Sequence, residues 1–379
     1  DFESYNNDVD AQTTIWHAWI DGVTDGASGS QVGYSESPFA ETTIVHGGKQ
    51  AMPLIYSNTD FAFSEAKRTF DSPQDWSARG IKSLSVWFAG SAGNAGTLYV
   101  KINNAKVVYD GDPADLARSV WQAWNIDLSK VGNVGSVRSL TIGIEGSGAT
   151  GTLFVDDIRL YPKTPEYVTA VDPGNEGLVA YYALDGNTKD SSGNKLDGTF
   201  TAGTEEWVAG HDGQALQFNG ATGYVDLGTN EAMNLTEAMT IACWLRDDGY
   251  TTGWQAVFTK GLGWRLQRNG TQANLEWTCP PSPFLFSKSA VDDGEWHHIT
   301  GTYDSQRQAI YIDGVLDNEQ TVSVPIAPTT YRVMIGSIDT LTTRVWHGPI
   351  DEVRLYSRAL SASEALWLAD QTTPRHKPF

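Results

Sequence analysis

GPIDEVRLYSRALSASE, residues 348–364, and FVDDIRLYP, residues 154–162, are two versions of one short text in a single chain. Both mix β-branched, aromatic and charged residues in alternation, the pattern of a half-buried strand. With a two-residue period, Phe154, Asp156, Ile158 and Leu160 share one face, and Val155, Asp157, Arg159 and Tyr161 share the other. By the same rule Asp351 shares its face with Val353 and Leu355. Asp156 and Asp351 therefore fall on the more apolar face of their strands. A carboxylate there needs a partner, because burying an unpaired charge is expensive. That partner is a cation, a lysine or a set of backbone N–H groups. Calcium is the sharp expectation, since it takes hard oxygen ligands; a structural carboxylate capping a neighbouring loop is the plain one.

Reading outward, short strand-like runs fill both halves. Before residue 162 they include KSLSVWF, TLYVKI, AWNIDL and SLTIGIE; after 176 they include LVAYYAL, QALQFN, MTIACWL, WRLQRN, HHITGTYD and AIYIDGV. Gly, Asn and Asp clusters separate them, as turns require. Helical signal is confined to the end, where Ser361-x-x-Glu364 forms a capping box ahead of ALWLAD. The stretch 163–176 holds proline and little apolar periodicity and reads as a linker. A length of 379 residues suits two cores rather than one. The expectation is an all-β chain of two tandem antiparallel β-sandwich, or jelly-roll, domains at 1–162 and 177–379.

The second half resembles the laminin-G-like jelly rolls, a branch of the concanavalin A-like lectins and glucanases. Six segments carry the resemblance in order: GLVAYYALDGNTKDSSGN, GQALQFNGATGYVDLG, LTEAMTIACWL, DGEWHHITGTYD, AIYIDGV and the opening quotation. It implies two antiparallel sheets, a carbohydrate- or protein-binding role and often a structural calcium. The first half is similar to the galactose-binding-like sandwiches of carbohydrate-binding modules, through DFES at its start and FVDDIRLYP at its end. In those modules acidic residues of the first and last strands commonly hold calcium together, which here implies Glu3 with Asp156 and its neighbour Asp157. Asp185, Asp190 and Asp351 are the candidates for an equivalent site in the second half.

The formal charge of −20 argues against nucleic acid as a partner, against an anionic membrane surface, and against strongly anionic polymers not bridged by a cation. It also serves plain solubility. No apolar run approaches a membrane span, so no membrane insertion is expected. The two cysteines, Cys243 and Cys279, either pair or stay as free buried thiols. A chain opening directly in strand-like sequence fits a mature secreted or cell-surface protein, or a piece of a longer one.

Trp296, His297 and His298 look like a catalytic or metal cluster. Adjacent strand residues point to opposite faces, however, so a structural role is expected. The Glu-x-Asp-x-x-Glu pattern of glucanases is missing from the sequence, as are Gly-x-Ser-x-Gly, His-Glu-x-x-His and a phosphate loop. Sugar rings stack their C–H faces on exposed aromatics. Among 14 tryptophans, Trp16, Trp19, Trp254, Trp264 and Trp346 stand beside turn residues and are the ligand-binding candidates. The expected function is non-catalytic binding of a polysaccharide or other glycan, alone or as the binding part of a larger degrading enzyme. The alternatives are a surface adhesion protein that contacts other proteins, and a hydrolase or lyase with an unfamiliar site.

Overall fold

The computed structural model describes residues 2–339 and 344–379. It divides into two compact units, Asp1–Val168 together with Thr373–Phe379, and Thr169–Thr372. Among the described residues, the first unit is two five-stranded antiparallel sheets. One runs, in spatial order, Trp19–Ile20, Phe63–Gln74, Val137–Glu145, Thr97–Ile102 and Ala105–Val108. The other runs Ser30–Val32, Met52–Ser57, Thr150–Tyr161, Ser83–Ala89 and Gln122–Asp127. Alternate residues of both sheets meet in one core that includes Leu54, Val86, Phe88, Val100, Trp124, Ile142 and Val155. This is the sandwich that strands with one apolar face must build.

The second unit holds an eight-stranded sheet around His347–Tyr356, which pairs with Leu178–Tyr182, Gln214–Asn219 and Met239–Arg246. A seven-stranded antiparallel sheet accompanies it, from Thr199–Thr201 at one edge to Leu285–Phe286 at the other. The expected helix is present at Ala362–Leu368. Ser361 Oγ accepts from the Glu364 N–H, and the Glu364 carboxylate accepts from the Ser361 N–H. Both cysteines are buried free thiols, and burial pushes both of them up.

The tail from 373 belongs with the first unit, whereas the sequence reading placed everything from 177 onward in the second. Arg375–His376 pairs with Tyr167–Val168, and the Arg375 guanidinium reaches the fully buried Asp115 carboxylate. Arg118 holds the other Asp115 oxygen at 2.6 Å, so this buried carboxylate draws one of its two cations from the tail.

The two-residue period breaks at the quoted segments. Asp156 pairs with Trp87 and Arg159 with Ser85, so three steps on one strand oppose two on the other. In the second unit Asp351 pairs with Trp244 and Arg354 with Ala242, with the same count. Each strand thus carries a β-bulge, and the acidic residue after the aspartate takes a left-handed backbone, φ 44° at Asp157 and 52° at Glu352. The extra residue switches faces. Val155, Ile158 and Leu160 pack toward the main core, while Phe154 joins Ala51, Ala89, Trp87 and Trp121 on the opposite side, the side of Asp156. Asp351 likewise shares its face with Trp244 and not with Leu355, which pairs with Ile241. The expectation that both aspartates face the main apolar core is corrected: each lies on the outer face of its sheet, fully buried beneath a loop.

Candidate functional site

The loop over Asp156 is His46–Gly47–Gly48–Lys49–Gln50. Asp156 Oδ2 accepts the N–H groups of His46 (3.1 Å) and Gly47 (3.0 Å), and Oδ1 accepts that of Asp157 (2.7 Å). Burial raises its carboxyl pKa despite those donors. Glu3 reaches the same loop, where Oε1 accepts from the N–H groups of Lys49 and Gln50. Both glycines pass close to carboxylate oxygens. A Cβ on Gly47 would stand 2.5 Å from Asp157 Oδ2, and one on Gly48, at φ 74°, would stand 2.3 Å from Glu3 Oε1. His46 Nδ1 lies 2.7 Å from Asp157 Oδ2, and the ring stacks on Trp87 with centroids 3.8 Å apart. Arg159 donates to Asp157 Oδ1 at 2.6 Å. The His46 contact leads in holding the Asp157 carboxyl below its ordinary range.

The second unit repeats this arrangement. Asp351 Oδ2 accepts from the N–H groups of His211 (2.9 Å) and Asp212 (3.1 Å). The His211 ring stacks on Trp244 at 3.4 Å and 10°, and Arg354 pairs with Glu352. Burial pushes the Asp351 carboxyl up to about 7, further than its two N–H donors draw it down. The echo between the two quoted segments is therefore a shared device, in which a bulge aspartate ties down a histidine-bearing loop.

Glu3, Asp156 and Asp157 do converge on one loop, as the calcium expectation requires. Both Asp156 oxygens and Glu3 Oε1 accept from backbone N–H groups, while Asp157 faces His46 and Arg159. Asp190 accepts from the N–H groups of Tyr181, Ser192 and Leu196, and Asp185 from that of Gln214. Among the described residues no group of three or more His, Cys, Asp or Glu side chains is placed to hold a metal ion. Of the partners weighed for these carboxylates, backbone N–H groups are the ones present.

His297 and His298 sit in opposite environments. His297 is wedged between Asp313 (Nδ1 to Oδ2, 3.0 Å) and Asp293 (Nε2 to Oδ1, 3.1 Å). Burial alone would lower its pKa, but the Asp313 and Asp293 carboxylates push it up to about 10. His298 is fully buried beside Trp244, and burial pushes it down to about 3. One ring is a cation bound on both nitrogens and the other is neutral. They cannot ligate one ion together.

The aromatic candidates divide. Trp264 and Trp346 are 1% and 0% exposed, so neither offers a ring face to a ligand; both are core residues, and that expectation is corrected. Trp16 is half-buried and packs edge-on against Phe39. Trp254, also half-buried, takes a left-handed backbone and carries the Arg344 guanidinium 5.7 Å from its ring centre. Trp19 is nearly buried, yet it lines the floor of a cleft of about 580 Å³ in the first unit. The cleft opens between the two sheets where Phe63–Gln74 runs out. Arg68 and Phe70 follow Ala66 on its inward face, and Trp76 closes on Phe70 edge-on at 6.0 Å. Tyr5 lines it, and Asp71, Ser72 and Gln74 give it a polar rim. Sequence reading selected tryptophans in turn-rich loops and passed over Phe70, Trp76 and Arg68. The available signal was FDSPQDW, residues 70–76, an aromatic-flanked polar turn.

With this geometry the chain is defined as a pair of antiparallel β-sandwiches, one bearing an aromatic and polar cleft. Residues 219–365, most of the second unit, match the concanavalin A-like lectin/glucanases superfamily in its laminin-G-like form. Similar solved structures include domain 4 of AbnA, a GH43 extracellular arabinanase from Geobacillus stearothermophilus, in complex with arabinotriose. It is 23% identical, covers 51% of this chain and 98% of its own, and has a TM-score of 0.43. The binding domain of Paraclostridial Mosquitocidal Protein 1 is 19% identical over 52% of each chain, with a TM-score of 0.42. That of Botulinum Neurotoxin serotype G is 17% identical over 51% of this chain and 50% of its own, with a TM-score of 0.41. The chain thus spans about half the length of these two toxin domains. No curated protein matches the chain.

Proposed function

We propose that this protein binds carbohydrate without transforming it, and does so outside the cell. The observation that carries the reading is the cleft of the first unit, where Tyr5, Phe70 and Trp76 meet Arg68, Asp71, Ser72 and Gln74. Apolar ring faces beside hydrogen-bonding side chains match the two-sided chemistry of a sugar. Membership of residues 219–365 in a lectin and glucanase superfamily is compatible with the same class of ligand, although a fold alone never fixes function. Non-catalysis is supported by the lining itself. Asp71 is the one carboxylate among the described lining residues, and glycoside hydrolysis ordinarily calls for two. Affinity electrophoresis of the intact chain through gels loaded with plant, algal and microbial polysaccharides tests the reading, with reducing ends and unsaturated products assayed alongside. Retardation without turnover is the expected result. Turnover lost on changing one Asp or Glu would make the protein an enzyme. Recovery of a protein partner with no glycan retained would make it an adhesin.

A further inference from the structure

We propose that the cleft of the first unit holds one or two neutral sugar rings at the free end of a glycan chain, and does not serve as a platform for a crystalline polymer surface. This rests on the carbohydrate-binding reading and goes on to name the ligand class and its contacts. Size is the first argument. About 580 Å³ lies within the roughly 300–1,000 Å³ of small-molecule sites, and it is bounded by both sheets of the sandwich. Ring orientation is the second. The half-buried Phe70 and Trp76, which keeps 6% exposure, meet at 69°. Rings so tilted share no plane. They form a corner that closes round one pyranose or furanose ring, whereas a crystalline face calls for coplanar aromatics.

Polarity is the third argument. Arg68 is half-buried, makes no ion pair among the described residues and lines a cleft that Leu84, Leu140, Ile158 and Leu160 also wall. A purely apolar ligand would strip water from that cation and return nothing. A polyanion would meet the Asp71 carboxylate at the rim and the chain's net charge of −20. Sugar hydroxyls donate and accept at once. They satisfy Arg68 as acceptors and Asp71 and Gln74 as donors, while the C–H face lies on Phe70.

A glycan array of plant, algal, microbial and animal oligosaccharides, probed with the intact chain, identifies the best soluble ligand. Calorimetry then compares wild type with Phe70→Ala, Arg68→Gln and, as a control in the other unit, Trp367→Ala at an exposed tryptophan. Each variant is first checked for an unchanged thermal midpoint; Arg68→Gln keeps the inquiry alive should Phe70→Ala unfold. Weakening of about tenfold or more in the two cleft variants, with the control unchanged, is expected. A bound oligosaccharide indifferent to both cleft substitutions would leave the carbohydrate reading standing and remove this site. Retention on microcrystalline polymer with no soluble mono- or disaccharide bound would overturn the chain-end assignment. No glycan retained at all would overturn both readings.

Discussion

Raising the pH from 7 to 9 should loosen the second unit through one side chain, His297. Its ring nitrogens lie about 3 Å from two carboxylates, Asp313 and Asp293, and its pKa is pushed up to about 10 from an ordinary value near 6.5. A raised pKa means that the folded state holds the proton more tightly than the unfolded chain does. The stabilisation is therefore complete below about pH 6.5 and is lost as pH climbs through about 10. Some 3.5 pH units at 1.36 kcal/mol each set a ceiling of about 5 kcal/mol, of which roughly half disappears between pH 7 and pH 9. The assay is chemical unfolding of wild type and His297→Gln at both pH values, read on the transition that the substitution shifts. The variant loses the cation but not the carboxylates, so at pH 7 it should be less stable by several kcal/mol, on the order of 3–5. That gap should narrow by about 2 kcal/mol at pH 9. Titration of 13C-labelled histidines gives the direct readout. One imidazole stays cationic at pH 8.5 and vanishes in His297→Gln; another, His298, stays neutral at pH 5. A constant gap from pH 7 to 9, or every histidine titrating between pH 5.5 and 7.5, would refute the reasoning.

Asp156→Ala leaves three N–H groups, one buried and two part-buried, without an acceptor and should cost about 2 kcal/mol or more, against a much smaller loss for Asp156→Asn; equal losses in denaturant titration would show that the carboxylate does not hold the loop. Gly48→Ala places a methyl against Glu3 at a left-handed φ, so it should destabilise by more than the roughly 1 kcal/mol of an ordinary glycine change, and a neutral result would contradict the close approach. A chelator should leave the melting transition of the first unit unchanged, because both oxygens of Asp156 already accept N–H donors; a rise of several degrees on adding calcium would favour the cation reading.

The fold was readable because its signal is distributed. Strand alternation, the 163–176 break and the ordered run of segments from GLVAYYAL to DEVRLYSRAL all point one way, and the Ser361–Glu364 box marks its helix by local chemistry alone. Position along the chain was a poorer guide for the tail. Nothing local in TTPRHKPF says that Arg375 neutralises Asp115, some 260 residues away. The loop tryptophans misled for a related reason. Trp346 follows a turn-rich stretch, but pairing of the neighbouring strands draws it inside, and exposure is a tertiary property that a polar flank only suggests.

The bulge aspartates show where a sound rule fails. Period-two reasoning is valid for an unbroken strand, and it assigned Asp156 to the side of Ile158 and Leu160. One extra residue between Asp156 and Arg159 reverses that assignment, and the same extra residue between Asp351 and Arg354 reverses it again. The acidic residue that absorbs the left-handed turn, Asp157 or Glu352, then pairs with the arginine two positions on. What read as one carboxylate in an apolar face needing a partner is thus a pair of carboxylates with separate duties. The first gathers the N–H groups of a histidine-bearing loop, and the second pins the bulge through arginine. The text D-[DE]-[IV]-R-L-Y encodes both parts. A strand is written in its alternation, whereas the bulge is written in two adjacent acids followed at a fixed distance by an arginine. Two independent sandwiches reaching the same register, left-handed φ values of 44° and 52° and the same histidine-on-tryptophan stack make that the physical reading of the repeat.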